Sequence, residues 1–224
     1  MKKNRTIFTI LITVFLGIVS LGMNSSPVKA ANTVKLYLNS NSYVYNNKGQ
    51  RLRGKGNYLK KNKAVTAPGK LQKTNSVKRY YTLKVLYQKN SNNSKYPSVI
   101  VRWLPYKVIK GQEYYRIGIN KYVKSINVTK INNKKLYTNY ETLTIGTPVG
   151  NDKYVYATDS NGKQTSKILK TGSKFISDEY DILGNDSYFS YHIKGTEYWV
   201  YSMEIKKNPR HTIISNPFKL ALWE

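Results

Sequence analysis

After residue 30, the sequence is a succession of short runs rich in Tyr, Val, Ile and Thr, separated by clusters of Asn, Gly, Pro and Ser. Such runs are typical of β-strands, because β-branched and aromatic side chains pack well on a pleated surface, and the clusters are typical of turns. No window shows the 3.6-residue period of an amphipathic helix. The sequence therefore predicts an all-β fold of small, strongly bent sheets or partly open barrels, with apolar faces inward and Lys and Tyr side chains outward.

The first thirty residues have the three parts of a secretory signal peptide. A positive segment at residues 2–5 precedes an apolar segment at 7–21, and Val28-Lys29-Ala30 offers a cleavage site. An uncleaved N-terminal anchor is the alternative, but the apolar run is shorter than the ~20 residues that a spanning helix prefers. We expect a secreted mature chain that begins at Ala31 and has no membrane span.

Two parts of the mature chain share similar blocks in the same order, which is the pattern of a tandem repeat. The matched blocks are 43–50 with 154–164, 59–61 with 169–171, 115–117 with 191–193, and 122–128 with 199–205. The offset between matched residues falls from 110 at Leu59 to 76 at Tyr115. The first copy is therefore predicted to contain an insertion.

The repeat divides the chain into four predicted segments. These are a signal peptide at 1–30, a first half at 31–130 with its insertion at about 71–110, a diverged second half at 131–207, and a C-terminal tail at 208–224. Within the insertion, the strand-like runs at 80–87 and 98–103 predict a hairpin added to the first half, with a short helix as the alternative. The tail can dock either on one of the halves or on a partner.

Basic residues are concentrated in the first half. The chain has 38 Lys and Arg against 11 Asp and Glu, a formal net charge of +27. Residues 31–130 contain 22 basic residues and one acid, Glu113, whereas residues 131–224 contain 12 basic and 10 acidic residues. Such an uneven excess favours a polyanionic partner.

The blocks at 41–49, 59–61 and 114–124 closely resemble the surface-layer-protein cell-wall-binding repeat of lactobacilli. The resemblance implies that tandem copies hold the protein noncovalently on a Gram-positive cell wall, as a surface-layer or surface-layer-associated protein. Teichoic acids and other anionic wall polysaccharides are the implied ligands, and surface-layer proteins are a second class of partner. The second copy matches less well, because His192, Glu197, Trp199 and Tyr201 replace the Arg, Asn or Lys, Tyr and Lys of the repeat.

Cations of the first half are the candidate polymer-binding residues, because Lys and Arg displace the counterions that condense on a polyphosphate. With one tyrosine, the candidate wall-polymer-binding residues are Lys48, Arg51, Arg53, Lys55, Lys60, Lys61, Lys63, Arg116, Lys121, Tyr122 and Lys124. The alternative role of such lysines is to solvate strand edges and prevent edge-to-edge association. Tyr43, Tyr45, Tyr115 and Tyr122 can either pack their rings on the core or stack them on sugars.

The sequence predicts no catalytic, metal or cofactor site. The chain has no cysteine, and its two histidines, His192 and His211, lack a metal-ligand spacing. The acids at 178–181 are typical of a solvated turn rather than of a glycosidase cleft, and the Asp159 turn lacks the Glu that completes a calcium loop. A basic adhesin or antimicrobial protein that binds anionic membranes or host glycans is the alternative function, whereas nucleic-acid binding has no supporting motif.

Overall fold

The computed structural model describes residues 32–89, 95–184 and 188–220, so the predicted signal peptide lies outside the described residues. The described residues are all-β, which confirms the predicted fold class. They contain no α-helix and two single-turn 3₁₀ segments, Ser125–Asn127 and Ser202–Glu204. The sheets are open, and none of those described closes on itself.

The strands are short and follow one another closely along the chain. In the first half they are β1 (Thr33–Leu38), β2 (Ser42–Tyr43), β3 (Tyr58–Leu59), β4 (Ala64–Pro68), β5 (Gln72–Lys73), β6 (Tyr80–Lys89), β7 (Lys95–Trp103), β8 (Lys107–Ile109), β9 (Gln112–Gly118), β10 (Lys121–Lys124) and β11 (Val128–Ile131). The remaining strands are β12 (Lys134–Lys135), β13 (Tyr137–Thr138), β14 (Glu141–Thr144), β15 (Val155–Thr158), β16 (Gln164–Leu169), β17 (Lys174–Leu183), β18 (Tyr188–Ile193), β19 (Trp199–Tyr201) and β20 (Thr212–Ile213).

The two halves repeat one pattern of strand pairing. In the second half, one six-stranded sheet has the order β14-β17-β18-β19-β15-β16. The corresponding strands of the first half are β1, β4, β9, β10, β2 and β3, which are divided among three sheets. Tyr122 pairs with Arg116 across β10 and β9, and Trp199 pairs with His192 across β19 and β18. The sequence comparison matched Tyr122 with Trp199 and Arg116 with His192. The sequence repeat is therefore also a repeat of strand pairing.

The turn after the Tyr-Val-Tyr block shows where the sequence comparison was wrong by two residues. The Asn46 side chain accepts hydrogen bonds from two backbone N–H groups of its turn, and the Asp159 side chain does the same. These caps align Tyr43 with Tyr156 rather than with Tyr154. In this alignment Val44, which follows Tyr43, matches Ala157, which follows Tyr156, and both residues are buried. The repeated letters Tyr-Val-Tyr misled the comparison, because burial and turn geometry set the register.

The insertion interrupts a strand that is continuous in the second half. There β17 runs across a bulge between Ser177 and Tyr180 and pairs with both β14 and β18. In the first half the same path is formed by β4 and β8, and the chain between them forms β5, β6 and β7. Strands β6 and β7 pair antiparallel from Thr82 and Arg102 to Lys89 and Lys95. The predicted hairpin insertion is therefore confirmed, in place of a short helix.

The insertion, the segment between the halves and the tail share one sheet, with the order β20-β13-β6-β7-β5. Strand β20 of the tail pairs parallel with β13, which pairs antiparallel with β6. The Tyr81 ring stacks on Tyr137 with centroids 6.1 Å apart, and the Tyr81 hydroxyl donates to the Ile214 carbonyl oxygen at 2.6 Å. The described part of the tail therefore docks on its own chain.

The chain has two compact apolar cores, and Ile131 and Leu136 from the start of the second half pack in the first of them. The first contains Val34, Leu36, Leu38, Ala67, Tyr80, Leu104, Tyr115, Val123, Val128, Ile131 and Leu136, and the second contains Leu143, Ile145, Val155, Tyr191, Val200, Ile205 and Ile213. Tyr80 belongs to the insertion and Ile213 to the tail, so each added segment contributes to one core. Tyr115 is fully buried, whereas Tyr43, Tyr45 and Tyr122 are half-buried.

A buried polar cluster lies where the insertion meets both halves. The Arg79 guanidinium lies 3.3 Å from the centroid of the Tyr140 ring and donates a hydrogen bond to the Tyr140 carbonyl oxygen. Its Nε lies 3.8 Å from a carboxylate oxygen of Glu113, and both side chains are largely buried. The Thr138 hydroxyl shares its one hydrogen between the carbonyl oxygens of Arg79 and Tyr140. The cluster therefore fixes the insertion to the segment that joins the halves.

Glu141 and His211 attach the tail beside this cluster. The Glu141 carboxylate accepts hydrogen bonds from the backbone N–H groups of Arg210 at 2.9 Å and His211 at 3.1 Å. Burial raises the pKa of Glu141, while these donors oppose the shift. The His211 Nε2 lies 2.7 Å from the Val128 carbonyl oxygen, so this nitrogen carries the proton. Its Nδ1 lies 3.9 Å from Glu141 Oε2.

We expect the contribution of His211 to the stability of the protein to fall below pH 6.5. Burial, assisted by the charges of Arg79 and Arg210, lowers the pKa of His211 from 6.5 to about 4. Between these values the unfolded chain takes up a proton that the folded chain does not, so the free energy of unfolding decreases as the pH falls. At pH 4.5 the loss is about 2–3 kcal/mol.

Urea denaturation of the His211→Gln variant and the unmodified chain at pH 4.5 and 7.5 isolates this effect. We expect the difference in unfolding free energy between the two proteins to move in favour of the variant at low pH. The comparison is necessary because Glu204 acts in the opposite direction: its pKa is raised from 4.5 to about 7, so its contribution is present at low pH and lost as the pH rises. Parallel pH profiles would refute the assignment to His211.

Candidate functional site

The candidate cations of the first half are accessible and have no carboxylate partner. Nine of the ten are exposed, and Lys124 is half-buried. Across residues 32–89, 95–184 and 188–220, the ion pairs within 4.0 Å are Arg79 with Glu113, His192 with Asp178, and His211 with Glu141. None of these pairs includes a candidate cation, so the acids of the second half leave the positive charge of the first half available to an external anion.

The structure divides these cations among several surface groups. Lys48, Arg116 and Lys121 lie around the β9–β10 turn; Arg51, Arg53 and Lys55 lie between β2 and β3; Lys60, Lys61 and Lys63 lie around the turn between β3 and β4; and Lys124 ends β10. A hydrogen bond of 2.7 Å from the Asn47 N–H to Asn120 Oδ1 joins the Lys48 turn to the β9–β10 turn. The ten cations therefore do not converge on one point.

One group combines cations with aromatic rings in an open hollow of about 400 Å³ lined by Tyr43, Tyr58, Arg51 and Arg53 among others. The Arg51 guanidinium carbon lies 3.0 Å from the centroid of the Tyr43 ring, and that ring lies 5.0 Å from Tyr58. A guanidinium stacked by its face keeps its N–H groups at the edge, where they can reach an anion. This hollow can therefore contact both a phosphate and a sugar face.

A larger space, which we call the basic cleft, has a volume of about 450 Å³ and lies between the two halves. Its lining is formed by Ser40, Asn41, Tyr45, Lys124, Ile126 and Asn127 of the first half, and by Glu141, Thr142, Leu143, Thr144, Lys207, Asn208 and Arg210 from beyond it. Lys124, Lys207 and Arg210 are its cations. Of the predicted binding residues, only Lys124 lines this space.

The cations of the basic cleft are positioned by regular elements and by hydrogen bonds. Lys124 is the last residue of β10 and precedes the 3₁₀ turn that contains Asn127. The Asn127 side-chain oxygen accepts a hydrogen bond of 2.5 Å from the Arg210 guanidinium. The Lys124 Nζ lies 5.5 Å from the centroid of the Tyr45 ring. A cation above a ring and a tethered guanidinium lose less side-chain freedom when they bind an anion.

Glu141 is the one acid among these lining residues, and it offsets at most one of the three cations of the basic cleft. Its side chain is about 5% exposed, and its two oxygens accept backbone hydrogen bonds from Arg210 and His211. Because those donors already satisfy the carboxylate, the ammonium groups of Lys124 and Lys207 remain available.

Sequence reasoning missed Lys207 and Arg210. The signal that could have found them is the run Lys206-Lys207-Asn208-Pro209-Arg210, which has three basic residues in five. It was overlooked because the second half and the tail have a nearly balanced charge overall. Only the return of the tail along β14, fixed by the bonds to Glu141, brings these cations beside Lys124.

The corresponding cationic positions of the second half are occupied differently. His192 takes the place of Arg116, and its Nδ1 lies 2.8 Å from Asp178 Oδ1 while its Nε2 lies 2.7 Å from the Thr196 carbonyl oxygen. Tyr201 takes the place of Lys124, and its hydroxyl donates to the Gly162 carbonyl oxygen. These two side chains serve internal contacts, in agreement with the weaker resemblance of the second copy.

One protein-family model matches part of the chain. The model of the surface layer protein A domain matches residues 27–96 and 86–126. The two matched segments overlap at residues 86–96, inside the insertion predicted at 71–110. A comparison with curated proteins found no match.

No helix in the part of the chain that the structure describes has the length and apolarity needed to cross a lipid bilayer. The surface layer family is structural rather than typically enzymatic. Through residues 27–126, this chain is similar to the surface layer protein A domain, which supports a cell-surface protein of the surface-layer type.

Proposed function

We propose that this protein attaches noncovalently to a Gram-positive cell wall by holding an anionic, teichoic acid-like polymer in the basic cleft. The observation that carries the proposal is the convergence of Lys124, Lys207 and Arg210 on one cleft without an ion-pair partner among the described residues. Cations that replace condensed counterions on a phosphate chain gain the entropy of ion release. The role is one of binding, without catalysis.

Tyr45 supports binding of a polymer that contains both phosphates and polyols or sugars. Its ring lines the basic cleft and contacts Tyr114 edge to face, with centroids 5.3 Å apart. That contact fixes the orientation of the ring, so a sugar or glycerol unit can pack on it while Lys124 contacts the adjacent phosphate.

The other candidate cations extend this surface beyond the basic cleft. Asn41 lines the basic cleft, and its side-chain oxygen accepts a hydrogen bond of 2.8 Å from the Lys61 N–H. The Lys60–Lys63 turn therefore begins beside the cleft. A polymer longer than the cleft can continue over this turn and increase the number of phosphates contacted.

A sedimentation assay with whole cell walls tests this proposal. We expect the mature chain to sediment with untreated walls at 50 mM salt, and to remain largely in the supernatant after acid extraction removes the phosphate polymers. The expected decrease is at least tenfold, because peptidoglycan alone offers far fewer closely spaced phosphates. Added soluble poly(glycerol phosphate) should compete with untreated walls, whereas uncharged dextran should not. Undiminished binding to extracted walls would overturn the proposal.

A further inference from the structure

A separate cavity of about 240 Å³ in the second half has an acidic lining. Asp152 and Glu204 contribute two carboxylates, and Tyr156, Tyr188 and Tyr201 contribute three aromatic rings. None of the described residues that line it is Lys, Arg or His. Residues 131–224 contain 12 basic and 10 acidic residues, so this lining gives the cavity a local negative charge that attracts a cation.

Glu204 lines this cavity and carries a buried acceptor without a partner in the described part of the chain. The residue is 6% exposed, and its Oε2 has no hydrogen-bond partner among the described residues. Buried polar atoms are nearly always hydrogen-bonded, because a buried acceptor without a donor costs about 1–3 kcal/mol. A ligand that brings a donor into the cavity would remove this cost.

The surroundings of Glu204 favour a cation over a neutral donor. Burial, with the nearby charge of Asp152, raises the pKa of Glu204 to about 7, while a hydrogen bond from the Val149 backbone N–H acts in the opposite direction. An ammonium group placed between the two carboxylates would stabilise both ionised forms. The rings of Tyr188 and Tyr201, whose centroids lie 5.8 Å apart, can add cation–π attraction.

At equivalent positions of the repeat, the charges of the side chains differ between the two halves. Glu204 is the last residue of the 3₁₀ turn in the second half, and Asn127 is the last residue of the equivalent turn in the first half. Tyr201 precedes the turn in the second half, and Lys124 precedes the turn in the first half. Gln164, which opposes Thr158, takes the place of Arg51, which opposes Tyr45. One scaffold thus carries cations and an amide in the first half, but a carboxylate and neutral side chains in the second.

We infer that the cavity beside Glu204 and Asp152 binds the primary ammonium group of a small organic cation. The ammonium group would donate hydrogen bonds to Glu204 Oε2 and to Asp152, with its carbon atoms against the tyrosine rings. A cavity of 240 Å³ is suited to a single small amine or amino-substituted unit of a polymer. This site is distinct from the basic cleft, and its ligand is opposite in charge.

Ethanolamine is a suitable probe, and N-acetylethanolamine is its uncharged control. At pH 8, titration of the mature chain followed by NMR should show saturable shifts of tyrosine ring resonances with ethanolamine, and at least tenfold weaker binding of the acetylated compound. The Asp152→Asn and Glu204→Gln variants should each reduce the affinity at least tenfold, whereas Asp181→Asn, which removes an exposed carboxylate elsewhere, should leave it unchanged. Asp152 is exposed, so its variant is informative even if the Glu204 variant unfolds.

Binding should also weaken as Glu204 takes up its proton, by about threefold to tenfold between pH 8 and pH 6. Equal affinity for the two probes would replace the inference with a neutral polar pocket. Absence of saturable ethanolamine binding, or full binding by both carboxylate variants, would overturn it. The Asp152→Asn variant should still sediment with cell walls, so the outcome is independent of the proposal for the basic cleft.

Discussion

Replacing Arg79 with Met should destabilise the protein by about 3–5 kcal/mol, the largest effect that we expect from a single substitution outside the apolar core. The Arg79 guanidinium is bonded to the Tyr140 carbonyl oxygen, lies over the Tyr140 ring, and faces the buried carboxylate of Glu113. Methionine retains much of the side-chain volume but removes the charge and its donors. Glu113 would then be a buried carboxylate without a counter-charge.

Urea denaturation at pH 7 with matched variants tests this account. The Arg53→Met variant removes an exposed arginine and should change the free energy of unfolding by less than about 0.5 kcal/mol. The double variant Arg79→Met with Glu113→Gln should recover part of the loss, because the uncompensated charge is no longer present. A loss below 1 kcal/mol for Arg79→Met would show that the buried cluster does not hold the insertion to the rest of the chain.

The triple variant Lys124→Gln, Lys207→Gln and Arg210→Gln should bind poly(glycerol phosphate) about a hundredfold more weakly than the unmodified chain at 50 mM salt. Three cations that contact neighbouring phosphates are removed together, and each contact releases roughly one counterion. The fold should be retained, because Arg210 holds Glu141 through its backbone N–H rather than through its side chain. Fluorescence anisotropy with a labelled polymer measures the affinity.

The control for this variant is Lys163→Gln, Lys167→Gln and Lys170→Gln, which removes the same net charge from exposed positions outside the basic cleft. We expect it to weaken binding by less than about threefold, through long-range attraction alone. Equal losses in the two triple variants would mean that total charge, rather than the cleft, determines affinity.

Local patterns predicted the all-β class and the equivalence of several blocks in the two halves. The matches of Tyr115 with Tyr191 and of Tyr122 with Trp199 recur as equivalent positions in the two hairpins, because alternation and turn residues act over short distances. The insertion hairpin was predicted for the same reason, since its two runs are separated by a polar turn. The matching of the two copies was wrong only at the Tyr43 block, where identical residue types occur at positions that differ in burial.

Contacts between segments that are distant along the chain could not be predicted from the sequence. Nothing in the residues of β13 and β20 indicates that these two-residue strands pair in parallel across the molecule. The basic cleft depends on that return of the tail, so the sequence placed the binding site on the first half alone and omitted Lys207 and Arg210. The candidate cations that it named are accessible and free of carboxylate partners, but their assignment to polymer binding stays a prediction.

The central claim is that cations of the basic cleft bind a phosphate polymer. Its most direct test is the affinity of the mature chain for purified poly(glycerol phosphate) between 50 and 200 mM salt. Our account predicts that the logarithm of the association constant falls linearly with the logarithm of salt concentration, with a slope of about −2 or steeper, as expected for three or more phosphate contacts. A slope near zero, or equal affinity for uncharged dextran, would contradict it.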